Sequence, residues 1–354
     1  MQSKPDDSRT LTSAEARVVW SILAGGLESE MERVRKSGLP MSTYRDAKRR
    51  LFAEGFLESR FVPNPQVIGV PRISFLLIRP YAEGKRSVAD ALAENPGTVL
   101  VWSGHQVVLG VVFHRSAASS EEFLHSVAQG ELGNASAVVT VELSEQPVTA
   151  YFDFEGAWAS LCGFTGTRYY PRKLPLTEHR YTAPENQKSA IPSRIAELLK
   201  LPFVAEKESV APHLIGPSMA PWSQRRSLRR GDVEWRVFPT LSHLHMPRFR
   251  GLHFSHVLFV VGKLREATSS TDLFRDLVST CGVNPFLVAG DENSVLMAGL
   301  AIGREVRKDS QDVVPPQRHV LPTIGSHIAN IELFREPLSS LREHVSHRYD
   351  RLIW

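Results

Sequence analysis

The chain has 354 residues, room for two to four domains, and its 42% hydrophobic and 23% charged content is ordinary for a soluble globular protein. Its 42 Lys and Arg against 38 Asp and Glu leave a net charge of +4, an excess that permits binding to a polyanion without requiring it. Two cysteines, Cys162 and Cys281, exclude a disulfide framework. No apolar run nears the roughly 20 residues that span a bilayer, and the polar start MQSKPDDSRT has no apolar leader core. These features predict a cytoplasmic protein with no membrane partner.

Residues 1–10 are expected to be a disordered tail. Thr12 or Ser13 is a candidate cap for a first helix over Ala14–Ala24, with Val18, Val19 and Ile22 inward. A second helix over Leu27–Ser37 carries Met31 and Val34 inward, and Gly38-Leu39-Pro40 is a turn. In Met41–Pro63, Ser42 is a candidate N-cap, and Tyr44, Ala47 and Leu51 recur at helical spacing as a buried face. Arg45, Lys48, Arg49 and Arg50 then form a basic group. Gly55 ends the helix, and Leu57, Ser59 and Phe61 alternate as a strand up to Pro63. A basic helix, a glycine and a short ribbon match the recognition helix and wing of a winged helix-turn-helix, expected over residues 11–69.

Residues 70–146 read as β-α-β-β-α-β: strands at Ile73–Ile78, Thr98–Ser103, Val107–Phe113 and Ala137–Leu143, helices at Val88–Asn95 and Ser119–Gln129. That order is the ferredoxin-like unit. Residues 147–188, aromatic and then rich in Gly and Pro, read as a packed connector. The second half repeats the first. Short helices are expected at Ser193–Leu201 and Val204–Ala211, and PWSQRRSLRRGDVEWRVFP at 221–239 parallels YRDAKRRLFAEGFLESRFVP at 44–63. Residues 189–245 are thus expected to be a second winged helix, with a degenerate one as the alternative. Residues 246–336 are a second ferredoxin-like unit, with strands at Val257–Val261, Pro285–Ala289, Val295–Ile302 and His327–Phe334 and a helix at Asp272–Cys281. Leu341, Val345, Tyr349 and Leu352 predict a last helix over Leu338–Ile353, the end of a 337–354 C-terminal segment. The expected class is α+β, two winged-helix and two ferredoxin-like units in tandem forming an intrachain pseudo-dimer.

Arginine can pair bidentately with guanine, and both basic residue types neutralise phosphate. The candidate contacts to double-stranded DNA are Ser42, Thr43, Tyr44, Arg45, Lys48, Arg49 and Arg50, with Arg60 in the ribbon. Their counterparts are Trp222, Gln224, Arg225, Arg226, Arg229 and Arg230, with Arg236 in the second ribbon. An ordinary solvated basic helix is the alternative for each group. His243, His245, His253 and His256 cluster in HLHMPRFRGLHFSH, but no cysteine or carboxylate lies close in sequence, and no metal or cofactor is expected. No P-loop, GxSxG, HExxH or GxGxxG occurs, so the chain is expected not to be an enzyme. Cys162 reads as packed, with nothing near in sequence to activate it.

The chain resembles the leucine-responsive/AsnC family of transcription regulators, taken as two copies. The resemblance rests on Ala53-Glu54-Gly55-Phe56-Leu57, on Asn64-Pro65-Gln66-Val67-Ile68-Gly69 and on Ser103-Gly104-His105-Gln106 before an apolar strand. It implies a DNA-binding regulator, with homo-oligomerisation among its options. It also implies an effector, such as an amino acid, at the hairpins Gly104-His105-Gln106 and Gly290-Asp291-Glu292. A plain hairpin is the alternative reading there. The first copy carries Gln106 where the family usually has Asp, and the second helix begins with Pro221. A rival resemblance is to the sirohaem decarboxylases, which share this build and hold tetrapyrrole carboxylates with basic and His residues. The His/Arg-rich 243–256 segment keeps it open. A third reading is an assembly module in which neither half binds DNA.

Overall fold

The computed structural model describes residues 10–25, 29–63, 68–70, 72–80, 85–129, 135–143, 148–152, 179–181, 196, 199–200, 233–241, 252–265, 273, 276, 283–290, 294–304, 320–346 and 348–352. It is a mixed α+β protein. Among the described residues, no helix is long and apolar enough to cross a membrane.

Three helices come first. α1 (Ser13–Gly25) opens on a reciprocal cap. Glu15 N–H donates to Thr12 Oγ1 at 3.2 Å, and Thr12 N–H donates to Glu15 Oε2 at 3.0 Å. α2 (Glu30–Ser37) is capped in the same way by Ser29 and Glu32. α3 (Met41–Ala53) has Pro40 at its N-cap, with no side-chain cap, so Ser42 sits inside the first turn rather than capping it. Tyr44, Ala47 and Leu51 are fully buried, and α1 packs on both other helices. Gly55 ends the run with φ 68°, a conformation L side chains rarely adopt. One expectation is reversed on α2: Met31 is 72% exposed, while Arg33 is buried. A short helix with few apolar residues is oriented by its neighbours, not by its own pattern.

Among the described residues, the strands make three sheets. β1 (Leu57–Pro63) pairs with β8 (Val233–Pro239) as a two-stranded sheet. The sequence places each in a separate wing; in the structure they are each other's partners. A lone strand leaves its backbone groups unpaired, and an equivalent strand satisfies them.

The five-stranded sheet contains β2 (Arg72–Pro80), β3 (Thr98–Ser103), β4 (Val108–His114), β5 (Ala135–Leu143) and β13 (Arg342–Val345), in the order β13-β3-β4-β2-β5. Its pairs are antiparallel, with Leu76 opposite Gly110 and Thr140. α4 (Lys85–Glu94) and α5 (Ala117–Ala128) cover one face. Leu76, Ile78, Leu92, Val101, Val112 and Phe123 form the core between them.

The six-stranded sheet contains β6 (Val148–Phe152), β7 (His179–Tyr181), β9 (Leu252–Leu264), β10 (Val283–Gly290), β11 (Val295–Arg304) and β12 (Ile328–Pro337). Its order is β12-β9-β11-β10-β6-β7. Leu258, Val260, Leu273, Met297, Ile324 and Ile328 form its core, with α6 (Val320–His327) on that side.

Backbone contacts divide the chain into two compact units. One comprises residues 1–56, 149–179 and 239–341; the other comprises 57–148, 180–238 and 342–354. The chain changes unit after each run of four strands. After β5 its next strand, β6, pairs with β10; after β12 its next strand, β13, pairs with β3.

Among the described residues of 338–353, the expected C-terminal helix does not form. Leu338–Ser340 is a 3-10 turn, β13 follows, and Tyr349–Leu352 is a second 3-10 turn. The apolar residues that suggested a helix are still the inward ones: Val345 is 3%, Tyr349 5% and Leu352 0% exposed. The open edge of β3 offers a ladder of hydrogen bonds, and a helix could not occupy it.

Candidate functional site

On α3, three arginines face outward and each meets a carboxylate. Arg45 Nε is 3.5 Å from Glu30 Oε1, Arg49 Nη1 is 3.5 Å from Asp46 Oδ1, and Arg50 Nε is 3.5 Å from Glu15 Oε1. The pairs of Arg45 and Arg49 lie at the surface and are worth about 0–1 kcal/mol each, so a polyanion can replace those carboxylates, whereas the Glu15 side chain under Arg50 is only 4% exposed. Ser42 and Thr43 are exposed in the first turn. Two of the expected contacts are not on this surface. Tyr44 is fully buried, and the Lys48 side chain is 11% exposed with Nζ 3.9 Å from Glu30 Oε1. Both lie on the face that packs against α1 and α2, because helical spacing places Lys48 one turn after Tyr44. Arg60 and Arg236 lie on the paired strands β1 and β8. Trp222, Gln224, Arg225, Arg226, Arg229 and Arg230 are outside the described residues.

The turn after β3 is a closed one. Gly104 N–H donates to the Val107 carbonyl at 2.8 Å, so that one amide of the hairpin is already used. His105 and Gln106 are exposed beside it. Gly290 is the last residue of β10, opposite Val295, and Asp291 and Glu292 are outside the described residues.

Of the histidine cluster, His243 and His245 are outside the described residues, while His253 and His256 lie on β9. The ladder with β11 slips here: His256 is opposite Ala301, and Phe254 is opposite Ile302. Ser255 is therefore the extra residue of a β-bulge, a device that re-aims neighbouring side chains. His256 Nδ1 is 2.9 Å from Ser255 Oγ and 3.5 Å from an Nη2 of Arg335 on β12. A guanidinium can only donate, so at that contact Nδ1 accepts and the ring hydrogen sits on Nε2. The result is a half-buried imidazole with an exposed guanidinium against it. Such a pair can bind carboxylate. Among the described residues, no three His, Cys, Asp or Glu side chains gather as a metal site.

A buried histidine elsewhere escaped sequence reasoning. His114, at the end of β4, lies opposite Arg72, and its Nε2 is 2.8 Å from Ser74 Oγ on β2. Burial, and then the Arg72 charge, lower its pKa to about 4. It is a neutral imidazole at physiological pH. Ser74 inside the run ISFLLI was the available signal, a hydroxyl where the pattern asks for an aliphatic.

No known family's sequence profile matches the chain, and no characterised protein matches it in sequence. Among solved structures, the siroheme decarboxylase NirDL matches with a TM-score of 0.50 at 12% identity, over 96% of this chain and 96% of that chain. The same enzyme with an iron-uroporphyrin III analogue gives 0.48 at 12% identity, over 96% and 97%. AsnC of E. coli gives 0.31 at 16% identity, over 39% of this chain and 95% of that one. At 12% identity the NirDL likeness is one of fold, and it runs the length of both chains. It corrects the expectation that this chain is not an enzyme, because the fold it shares from end to end is an enzyme's.

Proposed function

We propose that the chain is a tetrapyrrole-binding enzyme of the siroheme decarboxylase kind, removing carboxyl groups from an iron tetrapyrrole. The observation that carries this reading is the end-to-end fold likeness to such an enzyme. In this reading the chain is two unequal copies of one plan, a winged helix followed by a ferredoxin-like sheet. The two strand orders, β5-β2-β4-β3 and β12-β9-β11-β10, support the duplication.

The reaction breaks the bond between a side-chain methylene and its carboxylate. Carbon dioxide leaves, and the electron pair left behind takes up a proton. A site for it needs cations to hold the substrate's several carboxylates and a group able to pass a proton. Arg335 and His256 supply a fixed positive charge and an imidazole at one place, and the bulge at Ser255 aims that imidazole. His253 stands on the same strand.

The test is to add iron uroporphyrin III to the purified protein, follow the visible absorbance band, and analyse the tetrapyrrole by mass spectrometry. Saturable binding with loss of carbon dioxide from the tetrapyrrole is the expected result. A tetrapyrrole that neither binds nor loses mass would overturn the proposal. A second reading, double-stranded DNA binding through α3, rests on the exposed Arg45, Arg49 and Arg50 with Ser42 and Thr43. Gel shifts across a salt series decide it: phosphate contacts give a steep loss of affinity with salt, and no shift at low salt removes it.

A further inference from the structure

Ser103, His344 and Asp90 stand in series within the unit that holds the five-stranded sheet, the first two joined by a hydrogen bond and the last two in ion-pair range. Ser103 ends β3, His344 is on β13 and Asp90 is on α4. Ser103 Oγ is 2.9 Å from His344 Nε2, and His344 Nδ1 is 3.4 Å from Asp90 Oδ1. The serine and histidine are 241 residues apart in sequence.

The register of β13 explains how the ring reaches this position. Glu343 is opposite Trp102 and Val345 is opposite Val101, so His344 is the extra residue of a bulge. In a regular strand His344 would point away from the face that Val345 presents to the core. The bulge breaks that alternation. It brings the imidazole to the side where Val345 packs with the α4 residues Val88 and Leu92.

A carboxylate 3.4 Å from Nδ1 favours the tautomer with its hydrogen on Nδ1, which leaves Nε2 to accept the Ser103 hydroxyl hydrogen. A hydroxyl, a base to take its proton and a carboxylate to orient the base are the parts of a nucleophilic site. Exposure rises along the series, from 7% at Ser103 to 20% at the His344 side chain and 51% at that of Asp90. The exposed His105 and Gln106 follow directly.

We propose that Ser103 is a nucleophile, with His344 as its general base and Asp90 as a positioning residue, in a site for acyl transfer from small carboxylic esters. In the forward step, His344 Nε2 takes the Ser103 proton as Oγ bonds to the ester carbonyl carbon. The tetrahedral adduct then collapses, the carbon–alkoxy bond breaks, and the departing alcohol receives that proton from His344. Water, with its proton taken by the same imidazole, hydrolyses the acyl-serine to a carboxylic acid and restores the hydroxyl.

The test is to treat the full-length protein with a fluorophosphonate probe, which phosphonylates activated serines with release of fluoride, and to map the modified residue by mass spectrometry. The expected result is modification at Ser103, slowed about 100-fold or more in H344Q, the usual size of a general-base contribution. D90N is expected to slow the reaction and move its pH profile, with D90E restoring both in part. Hydrolysis of p-nitrophenyl acetate is expected to fall to the buffer rate in S103A. An unmodified Ser103 overturns the proposal without recourse to any variant. So does labelling that proceeds at the same rate in an H344Q protein of unchanged circular dichroism.

Discussion

The imidazole of His114 lies 2.8 Å from the hydroxyl of Ser74, and both residues are buried in the five-stranded sheet. The unfolded histidine takes up a proton near its ordinary 6.5, but the folded one does so only near 4. Between these values the unfolded chain binds more protons. Stability is therefore complete above pH 6.5 and lost as the pH falls towards 4, by about 3 kcal/mol in all. Urea unfolding at pH 7.5, 5.5 and 4 measures this. H114N should start lower, because Ser74 changes partner, but stay flatter across that window. A variant with the slope of the original chain would contradict the assignment.

Gly262 and Asn330 fit each other across the β9–β12 ladder. The ladder slips between Ala329 and Glu332, and Asn330 sits in the slip with φ 53°. A Cβ on Gly262 would collide with Ile328 Cγ2 and lie 2.6 Å from the Ala329 carbonyl oxygen. The second of these is backbone and cannot step aside. G262A should cost about 3 kcal/mol. Asn330→Gly should be near neutral, while N330V should cost about 1–2 kcal/mol for a β-branched residue in the left-handed region. Denaturant midpoints would report each.

The C-terminal segment should hold the five-stranded sheet closed. Leu352 is fully buried, Tyr349 packs edge-on to Phe113 at 6.3 Å, and Arg348 N–H donates to the Val99 carbonyl at 3.1 Å. L352A should cost about 2–5 kcal/mol. Ending the chain at Leu341 should raise amide exchange along β3, which loses its β13 partner. Unchanged protection of β3 would show that β13 contributes no stability.

If the tetrapyrrole reading holds, R335A and H256A should each weaken iron uroporphyrin III binding about tenfold, the scale of one lost charge-assisted hydrogen bond. R49A, on α3, should leave that affinity alone. An absorbance titration measures all three. Equal affinities for the original chain, R335A and H256A would place the substrate elsewhere.

The sequence by itself determined what local periodicity can record. The buried face of α3, read from Tyr44, Ala47 and Leu51, is the buried face of the fold, and Ile73–Ile78 and Thr98–Ser103 are strands. Spacing of this kind states which residues need burial, and within one helix or strand that is nearly the whole question. Tertiary structure decided the rest, for the same reason. Leu341, Val345, Tyr349 and Leu352 are as well spaced for a helix as for what they form; the unpaired edge of β3 made the segment a strand between two turns. β1 finds its partner in β8, 170 residues or more along the chain, and no local pattern points to it. Ser103 meets His344 across 241 residues through a bulge in one strand. A bulge turns on one residue's place in a ladder, and the ladder does not exist until the distant strand has docked.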